Sequence, residues 1–162
     1  MIRIKLLTLA VGIMTFLFGT AQEVTVFEHF EDYQHLLNQK NDTTYVINFW
    51  ATWCKPCVEE LPGFLEIDNK FRGQKFKMIL TSLDFEQQIE SKLIPYIQNN
   101  DIEARVVLLT DPGTNVWINK VNEEWVGSIP ATVIYNKDFY FFREGMLSYD
   151  ELNELITNNI IP

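Results

Sequence analysis

Cys54 and Cys57 are the only cysteines of this 162-residue chain, and they lie in the stretch NFWATWCKPCVEELP, Asn48 to Pro62. Such a pair can hold a metal, staple a fold or exchange electrons through a reversible disulfide. A structural zinc site takes four ligands, and the only histidines are His29 and His35. Six residues apart on one helix, their rings point about 240° apart, so no metal site is expected. A ring of four residues constrains little of the unfolded chain, which leaves a structural staple a poor use of the pair.

Electron exchange fits the position. Tyr45 to Trp50 reads YVINFW, a β-rich run apolar on both sides, as a central strand requires. A helix is predicted from about Cys54 to Phe71, with Leu61, Phe64, Leu65 and Ile67 inward and Gly73 beyond its end. Cysteines at i and i+3 of a first helical turn can reach disulfide geometry. The first of them sits among unpaired N–H groups at the positive end of the helix dipole. That setting favours a thiolate, the attacking species in thiol–disulfide exchange. Cys54 is therefore the expected nucleophile and Cys57, one turn further in, the resolving thiol. Lys55 adds positive charge beside them, and Pro56 suits an early helical position, where its missing N–H costs little.

The elements that must position this pair alternate along the chain. Strands are predicted at Val24–Phe27, Phe76–Asp84, Arg105–Leu109, Ala131–Tyr135 and Phe139–Phe142 besides Tyr45–Trp50. Helices are predicted at Glu28–Gln39, Phe85–Asn99, Val116–Val121 and Ser148–Ile156, with Pro95 kinking or splitting the second of these. Ser148 with Glu151 three residues on forms a capping box. Strands alternating with helices imply a mainly parallel sheet covered on both faces, here closed by an antiparallel hairpin and a helix.

The first 21 residues differ in kind. Arg3 and Lys5 precede the apolar run Leu6–Phe18, and Gly19-Thr20-Ala21 supplies small residues before Gln22. This is the pattern of a secretory signal peptide over 1–21, with an uncleaved N-terminal anchor as the alternative. Residues 22–162 form one domain. Removing Arg3 and Lys5 takes the 13 Lys and Arg to 11 against 22 Asp and Glu, a net charge of about −11. An acidic surface disfavours nucleic acid and anionic membranes as partners.

FWATWCKPC resembles the active-site segment of the thioredoxin superfamily. NFWATWCKPCVEELP is similar to that of the exported TlpA/ResA-like thiol-disulfide oxidoreductases. GSIPATVIYNKDFYFFREG, Gly127 to Gly145, resembles the same family's cis-proline strand, hairpin and following glycine. The resemblance implies a thioredoxin-like α/β fold, with a central mixed sheet, helices on both faces and a C-terminal β-hairpin plus helix. It implies that Cys54 attacks and Cys57 resolves, with no cofactor beyond a redox-active Cys54–Cys57 disulfide.

Pro130 matches the family's cis-proline, with the Ile129 backbone presented to an extended substrate peptide. Trp53 matches its flanking aromatic residue, and Pro62 its helix-bending proline. Trp50 is expected to support the site from the core. The implied partners are disulfide-containing proteins and a membrane thiol donor, and the implied location is periplasmic. Asn48 stands where cytosolic thioredoxins carry a proton-transferring aspartate, and Lys55 where some relatives carry an acid. These two, with Pro56, are the expected tuning positions. Glu59 and Glu60 lie near the site, and no catalytic step is assigned to either.

Reduction of disulfides is the expected direction. An oxidase of the same fold, or a non-catalytic binding module, is the alternative. Peroxide chemistry is disfavoured, because Ala51 stands where peroxiredoxin-like sites place a threonine.

Overall fold

The computed structural model describes residues 24–160. The expected leader over residues 1–21 lies outside the described residues.

Six strands form one sheet: β1 Thr25–Phe27, β2 Thr44–Trp50, β3 Phe76–Ser82, β4 Arg105–Leu109, β5 Ala131–Tyr135 and β6 Tyr140–Glu144, in the order β1-β4-β3-β2-β5-β6. The first four of that order pair in parallel. β5 and β6 add antiparallel beyond β2. β2 is buried along its whole length, as a strand covered on both faces must be.

Alternation along β2 sorts the core into two layers. Val46 and Trp50 face α2 (Lys55–Phe71), together with α3 (Ile94–Asn99) and α5 (Tyr149–Asn159). Tyr45, Ile47 and Phe49 face α1 (Phe30–Tyr33) and α4 (Thr114–Val121). The second layer is aromatic: Phe30 stacks on Trp117 at 5.6 Å, and Phe49 meets Trp125 at 4.8 Å. Asn48 lies between Val46 and Trp50 in the strand, so its side chain enters the α2 layer.

α2 buries Cys57, Glu60, Leu61, Phe64, Ile67, Asp68 and Phe71, a stripe at three- and four-residue spacing. Leu65, expected inward, is only partly buried. Gly73, at φ 84°, follows the helix end in the left-handed conformation that favours glycine. α5 crosses α2 at Gly63, where an added Cβ would meet the Tyr149 Cβ at 3.4 Å.

Two predicted helices are shorter than their periodicity suggests. Glu28–Gln39 is only α1 followed by a 3-10 turn over Gln34–Leu37. There the His35 ring contacts the Asp32 carbonyl and the Gln39 side chain donates to the His35 carbonyl, local bonds that stand in for further helix. Phe85–Asn99 is a 3-10 turn, a wide π turn over Ile89–Leu93 and then α3. Pro95 lacks the N–H that would continue a regular ladder, and the helix divides just before it.

Candidate active site

β2 ends at Trp50, and a four-residue turn closed by Cys54 N–H to the Ala51 carbonyl (3.1 Å) leads into α2. Cys54 is the N-cap of α2, in extended conformation, and its Sγ accepts the Cys57 N–H at 3.3 Å. The two sulfurs are joined, with S–S 2.01 Å and Cα–Cα 5.3 Å. Cys57 is the deeper of the pair, 1% exposed against 6% for Cys54. Cys54 Sγ lies 3.6 Å from the Ile129 carbonyl oxygen. The Ile129–Pro130 bond is cis, and the Pro130 carbonyl accepts from Gly145 N–H at 2.8 Å. The chain segment before β5 thus forms the wall opposite the disulfide.

One turn along α2 from Cys57 lies a buried polar group built from four elements. Asn48 Nδ2 donates to Glu60 Oε1 at 2.8 Å and to Thr132 Oγ1 at 3.1 Å. Leu147 N–H donates to Glu60 Oε2 at 2.9 Å. β2, α2, β5 and the turn before α5 therefore meet at one carboxyl group. Burial pushes the Glu60 pKa up to about 7, against the opposing pull of the Leu147 and Asn48 hydrogen bonds. Glu60 is three residues from Cys57 on the same helix, a spacing that brings side chains together. Asn48 cannot titrate, but it holds a group that does. The signal was present in the sequence: Glu60 falls on the Cys57–Leu61–Phe64 stripe. Thr132 becomes visible only through the β2–β5 register, which pairs it with Asn48.

The remaining expected residues separate into near and far. Trp53 is 53% exposed beside the disulfide, its ring stacked on exposed Phe85 at 6.5 Å. Trp50 is buried under the turn against Tyr96. Pro56 occupies the first turn of α2 and Pro62 lies within that helix. Lys55 points into solvent, where its 3.7 Å pair with Glu59 is weak because both side chains are exposed. Two carboxylates that sequence spacing did not single out brace the loops around the site. Glu144 accepts from Val126 N–H at 3.1 Å and Ser128 N–H at 2.8 Å, fixing the approach to Pro130. Asp84 accepts from Thr52, two residues before Cys54.

With this geometry in hand, the AhpC/TSA family profile matches residues 21–139. The chain belongs to the AhpC/TSA family. Among curated relatives, the thiol-disulfide oxidoreductase ResA of Oceanobacillus iheyensis is 31% identical over 120 residues, 72% of this chain and 57% of that protein. ResA of Bacillus cereus is 30% identical over 92 residues, 57% of this chain and 48% of that protein. The chain spans about half the length of the curated relatives it matches.

Solved structures place this AhpC/TSA chain in the thioredoxin-like fold. A thiol:disulfide interchange protein of the thioredoxin family from Chlorobium tepidum superposes with TM-score 0.63 at 17% identity, over 78% of this chain and 84% of that one. StoA of Bacillus subtilis gives TM-score 0.56 at 21% identity, over 73% and 84%.

Proposed function

We propose that the chain is an exported thiol-disulfide oxidoreductase that reduces disulfides in protein substrates through Cys54 and Cys57. The observation that carries this reading is the joined sulfur pair at the start of α2, facing the Ile129 carbonyl.

In the reduced protein the Cys54 thiolate attacks one sulfur of a substrate disulfide. A Cys54–substrate disulfide forms, and the other substrate sulfur leaves as a thiolate that takes up a proton. Cys57, deprotonated, then attacks Cys54 Sγ. The Cys54–Cys57 bond forms and the second substrate sulfur leaves, so two electrons have passed to the substrate. Glu60, one helical turn from Cys57 and titrating near neutrality, is suited to accept the Cys57 proton. Asn48 holds that carboxyl in place. No cofactor enters these steps. A membrane thiol donor restores the dithiol.

Trp53, Ile129 and Pro130 form the surface an extended substrate segment would meet, the Ile129 backbone offering strand-type pairing. Export is supported by Arg3, Lys5, the run Leu6–Phe18 and the small residues before Gln22. It predicts an intact mass for the exported protein that begins at Gln22. Reduction is favoured over oxidation because the connection from β3 to β4 carries short helical turns and α3, with no inserted helical domain. Equilibrating the Cys54–Cys57 couple in glutathione buffers tests the direction. The reductase reading expects a potential well below that of the glutathione pool, and a strongly oxidising value sinks it. Insulin reduction with a dithiol donor tests turnover, and its absence with every donor favours a binding module.

A further inference from the structure

We infer that Asp84 is a positioning residue for the Cys54–Cys57 exchange: it holds the turn Ala51–Trp53 in the conformation that delivers Cys54 to the start of α2. The inference rests on the oxidoreductase reading above.

Asp84 follows β3 and is 3% exposed. Its Oδ1 accepts Thr52 Oγ1 at 2.5 Å, and its two oxygens share the Thr52 N–H at 3.2 and 3.0 Å. Its Oδ2 accepts Ser82 Oγ at 2.8 Å, and Ser82 Oγ in turn accepts the Asp84 N–H at 3.0 Å. Among the described residues no Lys or Arg forms an ion pair with it. A buried carboxylate is costly unless hydrogen-bonded, and here most of that bonding comes from Thr52. The dependence is mutual: the turn after β2 has few anchors of its own.

The same β3 loop touches that turn at three successive points. Leu83 N–H donates to the Trp50 carbonyl at 2.8 Å, Asp84 binds Thr52, and the Phe85 ring stacks beside the exposed Trp53 ring at 6.5 Å. Trp50, Thr52 and Trp53 are thus tied to one neighbouring segment immediately before Cys54. Ring closure between Cys54 and Cys57 depends on how often the two sulfurs meet, and such effective concentrations fall steeply when a reacting group is freed. Release of Thr52 therefore weakens the Cys54–Cys57 bond relative to the dithiol.

The test measures reduction potential, reactivity and melting temperature on Asp84→Ala, Asp84→Asn and Thr52→Val. Asp84→Ala removes every side-chain bond to Thr52. Asp84→Asn keeps an acceptor for Thr52 and a polar partner for Ser82 while removing the charge. Thr52→Val removes one donor and leaves Asp84 in place. The expected result is a loss on the order of tenfold in the ring-closure equilibrium for Asp84→Ala, which is about 30 mV toward a more oxidising potential. Thr52→Val shifts in the same direction by several-fold, and Asp84→Asn stays within about twofold of the unsubstituted protein.

Potentials unchanged in Asp84→Ala and Thr52→Val, even with a lowered melting temperature, overturn the inference and leave Asp84 a scaffold residue. A shift in Asp84→Asn as large as in Asp84→Ala also overturns it, since charge and not position would then be the cause. If Asp84→Ala does not fold, Thr52→Val decides. The potential is read without any substrate protein. Failure of the unsubstituted protein to reduce insulin would sink the oxidoreductase reading without obscuring this comparison.

Discussion

Glu60 occupies a helix face it shares with Cys57, Leu61 and Phe64, where a carboxyl group is out of place by polarity alone. Its cost can be measured. The folded-state pKa is about 7 against an ordinary value of 4.5. Between those values the folded chain holds a proton that the unfolded chain has lost. The stability contributed by this group is thus fully present below pH 4.5 and is lost as pH rises through 7. The loss amounts to roughly 3 kcal/mol. Glu60→Gln should flatten that slope. In denaturant titrations at pH 5 and pH 7.5, the unsubstituted protein should lose more stability over the interval than Glu60→Gln; equal losses would refute the burial argument. The cysteines make a second prediction. Cys57→Ser should accumulate a mixed disulfide with a small aromatic disulfide reagent, and Cys54→Ser should accumulate far less. Mass spectrometry distinguishes them, and equal trapping would remove the assignment of Cys54 as nucleophile.

Single elements show how far sequence pattern reaches. Cys54 at the helix start, β2 from Tyr45 to Trp50 and the Ser148 cap follow from local spacing, because each is set by its own few residues. Ser148 Oγ accepts Glu151 N–H at 3.3 Å while Glu151 reaches back to Ser148 N–H at 3.0 Å, completing the capping box. Ser148→Ala should lower stability by about 1 kcal/mol and the melting temperature by roughly 3 °C, with the reduction potential unchanged; calorimetry and a glutathione titration check both halves. What spacing hid was tertiary. Asp84 lies 32 residues from Thr52 in sequence and meets it only because β2 and β3 pair in parallel. Glu144 reaches Ser128 because the β5–β6 hairpin folds back beside the Pro130 segment. Over Phe85–Asn99 the division expected at Pro95 is present, with α3 starting at Ile94 after the π turn Ile89–Leu93.

For the molecule as a whole, electron flow and folding belong to one thermodynamic cycle. A disulfide closing four residues removes about 2 kcal/mol worth of freedom from the unfolded chain. A reductase should keep that gain, so the oxidised protein should resist denaturant better than the reduced one. Unfolding both forms under matched conditions tests this, and a more stable reduced form would point to a disulfide donor. The buried carboxyl group where β2, α2, β5 and the turn before α5 converge has a further consequence. Asn48 Nδ2 donates to it, while Asn48 Oδ1 has no hydrogen-bond partner among the described residues. The two side-chain amide protons of Asn48 are therefore an internal indicator of Glu60. In nitrogen-15 spectra their resonances should move with a midpoint near pH 7, making the charge state of the site readable without touching a sulfur atom.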